Sequence, residues 1–360
     1  MMDGTNCLAD PARSGQGSLV LRALTVHDRL AWDALVQAAP EGCFMQSWTW
    51  ADFKELEGYQ TFRYGLFAAT VSGGSPPSTA LVGGCIFYFY PNPNPSNLLL
   101  APGGPLLPPG LTPTAMALLT QQAEALARSL GAIALRIEPL WSQKPDGMAA
   151  FVRAPVDLLP SETLLVDLRP AEVDRLAAMK PKGRYNLRLS QRRGVKTEFT
   201  TDPQAIPRFY DLFWETVRRQ DFFGEPYGFF INLCQTLFPA GMAEIGLATW
   251  HGKPLAGILV LYWGQRATYL YGGRSDAYPE VMAPYQLHWV AMQRAKARGC
   301  TVYDFYGFSR TPDHAYSRFS RFKSQFGGQP VTTIGAHDLV FYDQLANTLI
   351  TLFRKLAPPS

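Results

Sequence analysis

YGLFAATVSGG (Tyr64–Gly74), followed by ALVGGCIFYFY (Ala80–Tyr90), is the stretch that decides the fold, because its pattern returns. About 175 residues further on the chain reads IGLATWHGKP (Ile245–Pro254) and then LAGILVLYW (Leu255–Trp263). In the first copy Phe62–Ala69 and Leu81–Tyr90 have the β-branched and aromatic content of strands, and Gly73–Ser78 supplies the turn of a hairpin. The echo continues outward. APGGPL (Ala101–Leu106), an amphipathic helix over Thr114–Leu130 and GAIALRIEP (Gly131–Pro139), with a short buried strand at Ala132–Ile137, are matched by YGGRSD (Tyr271–Asp276), a helix ending AKARGC (Ala295–Cys300), and TVYDFYG (Thr301–Gly307). One hairpin, helix and strand unit is used twice, with a chance likeness of two α/β segments as the competing reading. That element order predicts an α/β protein with mixed (α+β) sheets and helices packed on them.

At 360 residues and 47% apolar content the chain is long enough for two cores. The expected division is a loose polar tail over 1–18, a first domain over 19–160, a second over 161–345, and a C-terminal helix or tail over 346–360 that could pack on the first domain. The segment Ser142–Glu162, between the two copies, is too rich in proline for a regular element. A net charge of +4 makes the whole chain no polycation, so any affinity for nucleic acid needs a local concentration of charge. Cys7, Cys43, Cys85, Cys234 and Cys300 are scattered without a C-x-x-C pair, as expected of reduced, mostly buried thiols, and neither metal nor cofactor is expected. The N-terminus lacks a basic and then apolar leader. Apolar runs such as Leu81–Tyr90 and Leu255–Trp263 fall short of the roughly 18 residues a membrane span needs, so a cytoplasmic, soluble protein is expected.

Charge is concentrated in KPKGRYNLRLSQRRGVK (Lys180–Lys196), where Lys180, Lys182, Arg184, Arg188, Arg192, Arg193 and Lys196 occur with no acid. Arg184, Arg188 and Arg192 recur at i, i+4 and i+8 and would line one stripe of a helix, while Leu187 and Leu189 can face protein. Such a stripe suits a polyphosphate backbone, bound without sequence readout and weakened steeply by salt; the alternative is a solvated helix face.

Aromatic residues crowd the second repeat, among them Tyr269, Tyr271, Tyr278, Tyr285, Tyr303, Tyr306 and Tyr316, with Trp263 and Trp289. Core packing and the stacking of a sugar nucleotide or adenosine end both account for them. In SRFSRFKSQFGGQPV, Lys323 lies between Phe322 and a Phe326-Gly327-Gly328 turn. Held in a partly dry pocket, Lys323 could stabilise the oxyanion formed when an amine attacks an ester; the alternative is a snorkelling surface lysine. Asp304 and Glu138 end corresponding strands of the two copies and could handle protons, or could accept bonds from loop N–H groups, the reading preferred for Asp304. The five histidines and the serines form neither G-x-S-x-G nor H-E-x-x-H, which leaves covalent and metal catalysis without support.

Taken in order, FMQSWTWADFKELEGY, LLVDLRPAEVDRLAAMKPKGRYNLRLSQRRGV, APYQLHWVAMQRAKARGCTVYDFYGF and RFKSQFGG resemble the landmarks of the Fem (FemA, FemB, FemX) family of peptidyltransferases, over Phe44 to Tyr342. The resemblance implies two GNAT-like acyltransferase domains around a cleft, in the short form without a coiled-coil arm. It implies an enzyme that moves an amino acid from aminoacyl-tRNA to the stem peptide of UDP-MurNAc-pentapeptide or lipid II, as a monomer at the inner face of the plasma membrane with at most peripheral contact. Carried over by position, Lys54 and Tyr271 become precursor contacts, Lys323 the catalytic lysine, and Glu138 an acidic cleft residue, lengthened here from Asp. Tyr285 and Phe322 join the substrate-binding set, and the cations from Lys180 to Arg193 the tRNA set. Glu225 and Phe229 stand where the family's Arg and Tyr contact the precursor, with Arg218 and Arg219 as substitutes and a lipid-linked acceptor as one explanation. Two rivals stand beside this. An acyl-CoA-dependent N-acyltransferase is disfavoured by the lack of a Q/R-x-x-G-x-G/A loop. A non-catalytic RNA-binding or polysaccharide-associated relative would keep the fold without the transfer.

Overall fold

The computed structural model describes residues 19–70, 78–92, 97–220, 223–311 and 316–356. The N-terminal tail, Cys7 and most of the turn expected at residues 73–78 lie outside them. The first half runs β1 (Leu19–Ala23), α1 (Arg29–Ala38), α2 (Trp48–Leu56), β2 (Gln60–Thr70), β3 (Ser78–Phe89), β4 (Leu98–Pro102), α3 (Thr112–Leu130), β5 (Ala134–Glu138) and β6 (Val152–Arg153). Then follow β7 (Glu162–Asp167), α4 (Glu172–Ala178), α5 (Pro181–Arg192), β8 (Lys196–Thr200), α6 (Ala205–Gln220), α7 (Tyr227–Leu237), β9 (Ala243–Trp250), β10 (Lys253–Trp263), β11 (Arg266–Arg274), α8 (Ala283–Ala297) and β12 (Val302–Asp304). The chain closes with α9 (Ser317–Lys323), β13 (Gln329–Thr332), β14 (His337–Val340) and α10 (Tyr342–Leu356).

Two seven-stranded sheets result, and they superimpose in plan. The first has the order β1-β2-β3-β4-β5-β14-β6; the second, read from its far edge, is β8-β9-β10-β11-β12-β7-β13. Each is antiparallel except at one place, β4 with β5 and β11 with β12. A parallel pair needs a crossover, and the repeated helix provides it: α3 in the first sheet, α8 in the second. The periodic pattern of α3 explains its seat, since Ala115, Met116, Leu119, Ala123, Leu126 and Ala127 form the buried face, and Gly131 ends the helix at φ 71°. The repeat seen in the sequence is therefore a repeat of structure.

The sixth strand of each sheet is exchanged. β7, which follows the first unit in sequence, pairs with β12 of the second sheet, while β14, near the end of the chain, inserts between β5 and β6 of the first. This corrects the expected boundary at 345: the second sheet ends with β13, and His337–Val340 belongs to the first. Arg136 of β5 fixes the inserted strand through a two-pronged bond to Asp338, at 2.7 and 2.8 Å. α10 leaves β14 beside α3, on the first domain.

The largest apolar cluster is shared between the halves. It joins Trp32 and Val36 of α1 and Phe53 of α2 to Phe209, Phe213 and Phe230 of α6 and α7, and to Ile245 and Leu259 of β9 and β10. Phe53 meets Phe229 edge-on across it at 5.3 Å. The four described cysteines are buried and unpaired. Among the described residues no helix is long and apolar enough to cross a membrane.

Candidate active site

A cleft of about 510 Å³ opens between the two sheets. α2 contributes Trp50 and Lys54, β3 Tyr88, the irregular segment after β6 Leu158–Pro160, α7 Phe229, β11 Tyr269 and Tyr271, and the turn after β12 Tyr306 and Gly307. Of its lining residues among those described, only Lys54, Glu225 and Lys323 carry formal charge. The cleft is thus an aromatic hollow with few and separately placed charges.

Lys323 is the chemically distinctive group. At the end of α9 it is buried, 8% exposed, and lines the cleft. Its Nζ donates to the carbonyl of Gly307 at 2.6 Å and to the carbonyl of Tyr306, with the Tyr269 ring centroid 5.6 Å away. Burial pushes its pKa down to about 7, against the opposing attraction of Asp304. An ammonium has three donors, so two held by main-chain carbonyls leave one for the cleft. His288 lies near it and is uncharged, its pKa driven down to about 3 first by burial and then by Lys323; its Nδ1 lies 3.0 Å from the Tyr303 hydroxyl.

Asp304 ends β12 without lining this cleft. It accepts from the Tyr306 N–H at 2.8 Å, from Arg266 at 3.1 Å, and from the Thr163 hydroxyl, so the carboxylate is occupied within the structure, by one loop N–H and two side chains.

The expected acceptor contacts divide. Lys54 and Tyr271 both reach the cleft. The Lys54 ammonium lies 4.1 Å from the Tyr59 ring centroid and 5.9 Å from that of Phe229; burial lowers its pKa, and Glu57 and Glu225 oppose the shift. Tyr271 is wedged edge-on among Phe213, Phe229 and Phe230, and burial raises its phenol pKa. Glu225 and Phe229 line the same wall, and burial raises the Glu225 carboxyl.

Glu138 departs from its expected catalytic place. It is 3% exposed and lies behind the cleft wall, accepting the N–H groups of Leu158 at 3.0 Å and Leu159 at 2.7 Å. Its pKa is pushed up to about 7 by burial, against those bonds. It holds the segment that lines the cleft and does not itself enter it. Tyr285 and Phe322 also lie outside the cleft: their rings meet at 5.1 Å, over a smaller hollow beside Arg274 and Tyr278.

Phe322 also lines a further cavity, of about 240 Å³, on the other side of β11. Arg219, Arg274 and Arg318 supply its charge, and its inner wall of Tyr269, Gly272 and Phe319 is shared with the cleft. Arg219 is one of the two arginines named from the sequence as substitute contacts for the acceptor; Arg274 and Arg318 were not named. The signal was the Gly272-Gly273 pair inside a strand, which marks close backbone approach. A Cβ on Gly273 would stand 2.2 Å from the Leu212 carbonyl, so only glycine lets α6 lie against β11 here.

The basic segment forms α5 as expected and packs close to Ser324–Phe326. Gly183 permits this, since a Cβ there would meet the Gln325 carbonyl at 2.3 Å. Lys180 bonds Ser324 at 3.1 Å, and Arg184 turns back onto the carbonyls of Ala177 and Met179, so the stripe loses a member to local structure. Leu187 is buried. Lys182, Arg188 and Arg192 are exposed and have no ion pair among the described residues, and Arg193 lies 3.9 Å from Glu280. Arg318 and Arg321, exposed on α9, carry the positive surface on to the second cavity.

Residues 181–323 match the acetyltransferase (GNAT) domain family. The chain is 22% identical to the lipid II:glycine glycyltransferase of Staphylococcus saprophyticus, over 91% of this chain and 95% of that one. Among solved structures it is similar to FemX, with a TM-score of 0.76 at 19% identity over 91% of this chain and 99% of that one. It is also similar to a tandem GNAT protein from the clavulanic acid biosynthesis pathway, with a TM-score of 0.55 at 13% identity over 89% and 98%. The two sheets are two GNAT-like domains in tandem.

Proposed function

We infer that this chain, a member of the Fem family of aminoacyltransferases, carries an amino acid from aminoacyl-tRNA to an amine on the stem peptide of a peptidoglycan precursor. The observation that carries this reading is the place of Lys323, buried beside the wall that two cavities share, with two carbonyls fixing its ammonium. An acceptor in the aromatic cleft and an activated acyl donor entering past Arg219, Arg274 and Arg318 would meet there. The exposed cations of α5 and α9 give the donor's nucleic acid a surface that leads to that entrance.

The reaction is aminolysis of an ester. A neutral amine attacks the carbonyl carbon, negative charge develops on the carbonyl oxygen, and the C–O bond to the ribose then breaks. The proton lost by the amine balances the one taken up by the ribose oxygen. Two tasks fall to the protein: holding the reactants in line, and stabilising the oxyanion with a donor already in place. Protonated Lys323 performs the second, in a site where low polarity strengthens its effect. Glu138 acts one layer back, holding the Leu158–Pro160 wall.

For the acceptor we favour the lipid-linked precursor. The curated relative is named for lipid II. The test is transfer of radiolabelled amino acids from a mixed charged-tRNA pool to lipid II and, separately, to UDP-MurNAc-pentapeptide, by wild type and Lys323→Ala. Label that depends on Lys323 supports the reading. Folded protein that labels neither acceptor with any amino acid refutes it.

A further inference from the structure

β11 and β12 run parallel only as far as the pairing of Thr268 with Asp304, after which β11 continues to Arg274 and the other chain turns away. That turn is made by Tyr306 at φ 45° and Gly307 at φ 56°, both left-handed. Glycine adopts this conformation freely; tyrosine does so only where its surroundings hold it. Carbonyl oxygens of these same two residues receive the Lys323 ammonium.

We propose that Asp304 is a positioning residue for the transfer reaction, clamping the left-handed Tyr306–Gly307 turn so that its carbonyls fix the Lys323 ammonium at the cleft. The clamp is the Asp304 bond to the Tyr306 N–H, at 2.8 Å. Asp304 is itself held from two strands, by Thr163 of β7 and by Arg266 of β11, the latter at 3.1 Å. It is 4% exposed, so solvent offers the turn no replacement acceptor. Among the described charged and titratable groups, Lys323 faces Asp304 at the end of β12, neutral His288 on α8 and the Tyr269 ring on β11; of these Asp304 alone carries negative charge toward it. Orientation and charge of the lysine thus pass through one carboxylate that does not line the cleft.

This inference rests on the transfer reading for its kinetic arm, and its second arm is independent of activity. The experiment compares wild type, Asp304→Asn and Asp304→Ala by steady-state transfer and by a ¹³C NMR titration of Lys323, assigned with Lys323→Arg. Asp304→Ala is expected to lower kcat by about 100-fold, the scale of a misplaced catalytic group, with KM for both substrates within about twofold. Asp304→Asn keeps an acceptor for the Tyr306 N–H but loses the charge; its kcat falls less, and the Lys323 titration moves to lower pH. Unchanged kcat in Asp304→Ala, a loss confined to KM, or a Lys323 titration unmoved in Asp304→Asn overturns the proposal. If Asp304→Ala does not fold, Asp304→Asn alone decides it. Should wild type transfer nothing, the reaction reading fails, while the titration still decides the clamp.

Discussion

Replacing Lys323 by methionine should uncouple stability from function in a way that pH exposes. The side chain has its ordinary pKa of 10.5 when unfolded and about 7 when folded, because burial disfavours the charged form. Below pH 7 both states are protonated and the folded state bears the whole burial penalty. Between 7 and 10.5 the unfolded state binds the extra proton, so wild-type stability rises with pH, by up to about 1.4 kcal/mol per unit. Methionine fills similar space without titrating, and leaves the Tyr306 and Gly307 carbonyls unpaired at a cost of about 1–3 kcal/mol each that does not depend on pH. The difference in unfolding free energy, wild type minus Lys323→Met, should therefore increase by about 2 to 3 kcal/mol from pH 6 to pH 9. Urea unfolding followed by tryptophan fluorescence at pH 6, 7, 8 and 9 measures it, with other titrating groups cancelling between the two proteins. Transfer by Lys323→Met should be lost throughout. Stability curves that stay parallel across this range would show that the folded lysine titrates near its usual pH and is not a dry, poised ammonium.

Glu225→Arg should add positive charge beside Lys54 and lower KM for a pyrophosphate-bearing acceptor on the order of 10-fold, about 1.4 kcal/mol; steady-state transfer compared with wild type reads this. Glu138→Gln should retain transfer within about 10-fold, as expected of a residue behind the cleft wall, whereas a base in direct contact with the amine would cost about 100-fold or more. The same variant should flatten the pH dependence of stability between 4.5 and 7: a carboxyl raised to about 7 in the folded state makes wild type lose stability as pH rises through that window, measurable by urea unfolding. Charge reversal at Lys182, Arg188 and Arg192 together should weaken tRNA binding and reduce the slope of log affinity against log salt by about 2 to 3, while reversal at Arg184 should act mainly on stability; filter binding at several salt concentrations separates the two.

The duplicated unit was legible because a hairpin, a crossover helix and a parallel strand each leave a local pattern, and Tyr64–Tyr90 and Ile245–Trp263 carry it without help from distant residues. Lys323 was legible for a related reason: a cation set among Phe322, Phe326 and two glycines is unusual in any single window. Pairings over long separations were not. Nothing near His337–Val340 says that it pairs with Ala134–Ile137, since only the vacant place beside β5 selects that partner. Glu138 was misplaced because strand position shows which end of a sheet a side chain occupies, and not whether a loop closes over it, as Leu158 and Leu159 do here. Arg184 lay on the right helical stripe, but α4 ends so close to α5 that its free carbonyls take up the guanidinium.

The exchanged sixth strands bear on the order in which the protein can be made. During synthesis the first sheet emerges with β5 and β6 unjoined, and the strand that belongs between them is separated from β5 by some 200 residues, the span from Arg136 to Asp338. Closing so long a loop slows folding more than it costs at equilibrium. The N-terminal half must wait with an open edge until the C-terminal half has formed, and an exposed edge is where chains pair wrongly with one another. Severing the connection between the halves would accordingly not release two folding units: the piece ending before β7 lacks its sixth strand, and the remainder carries a strand with no sheet to enter.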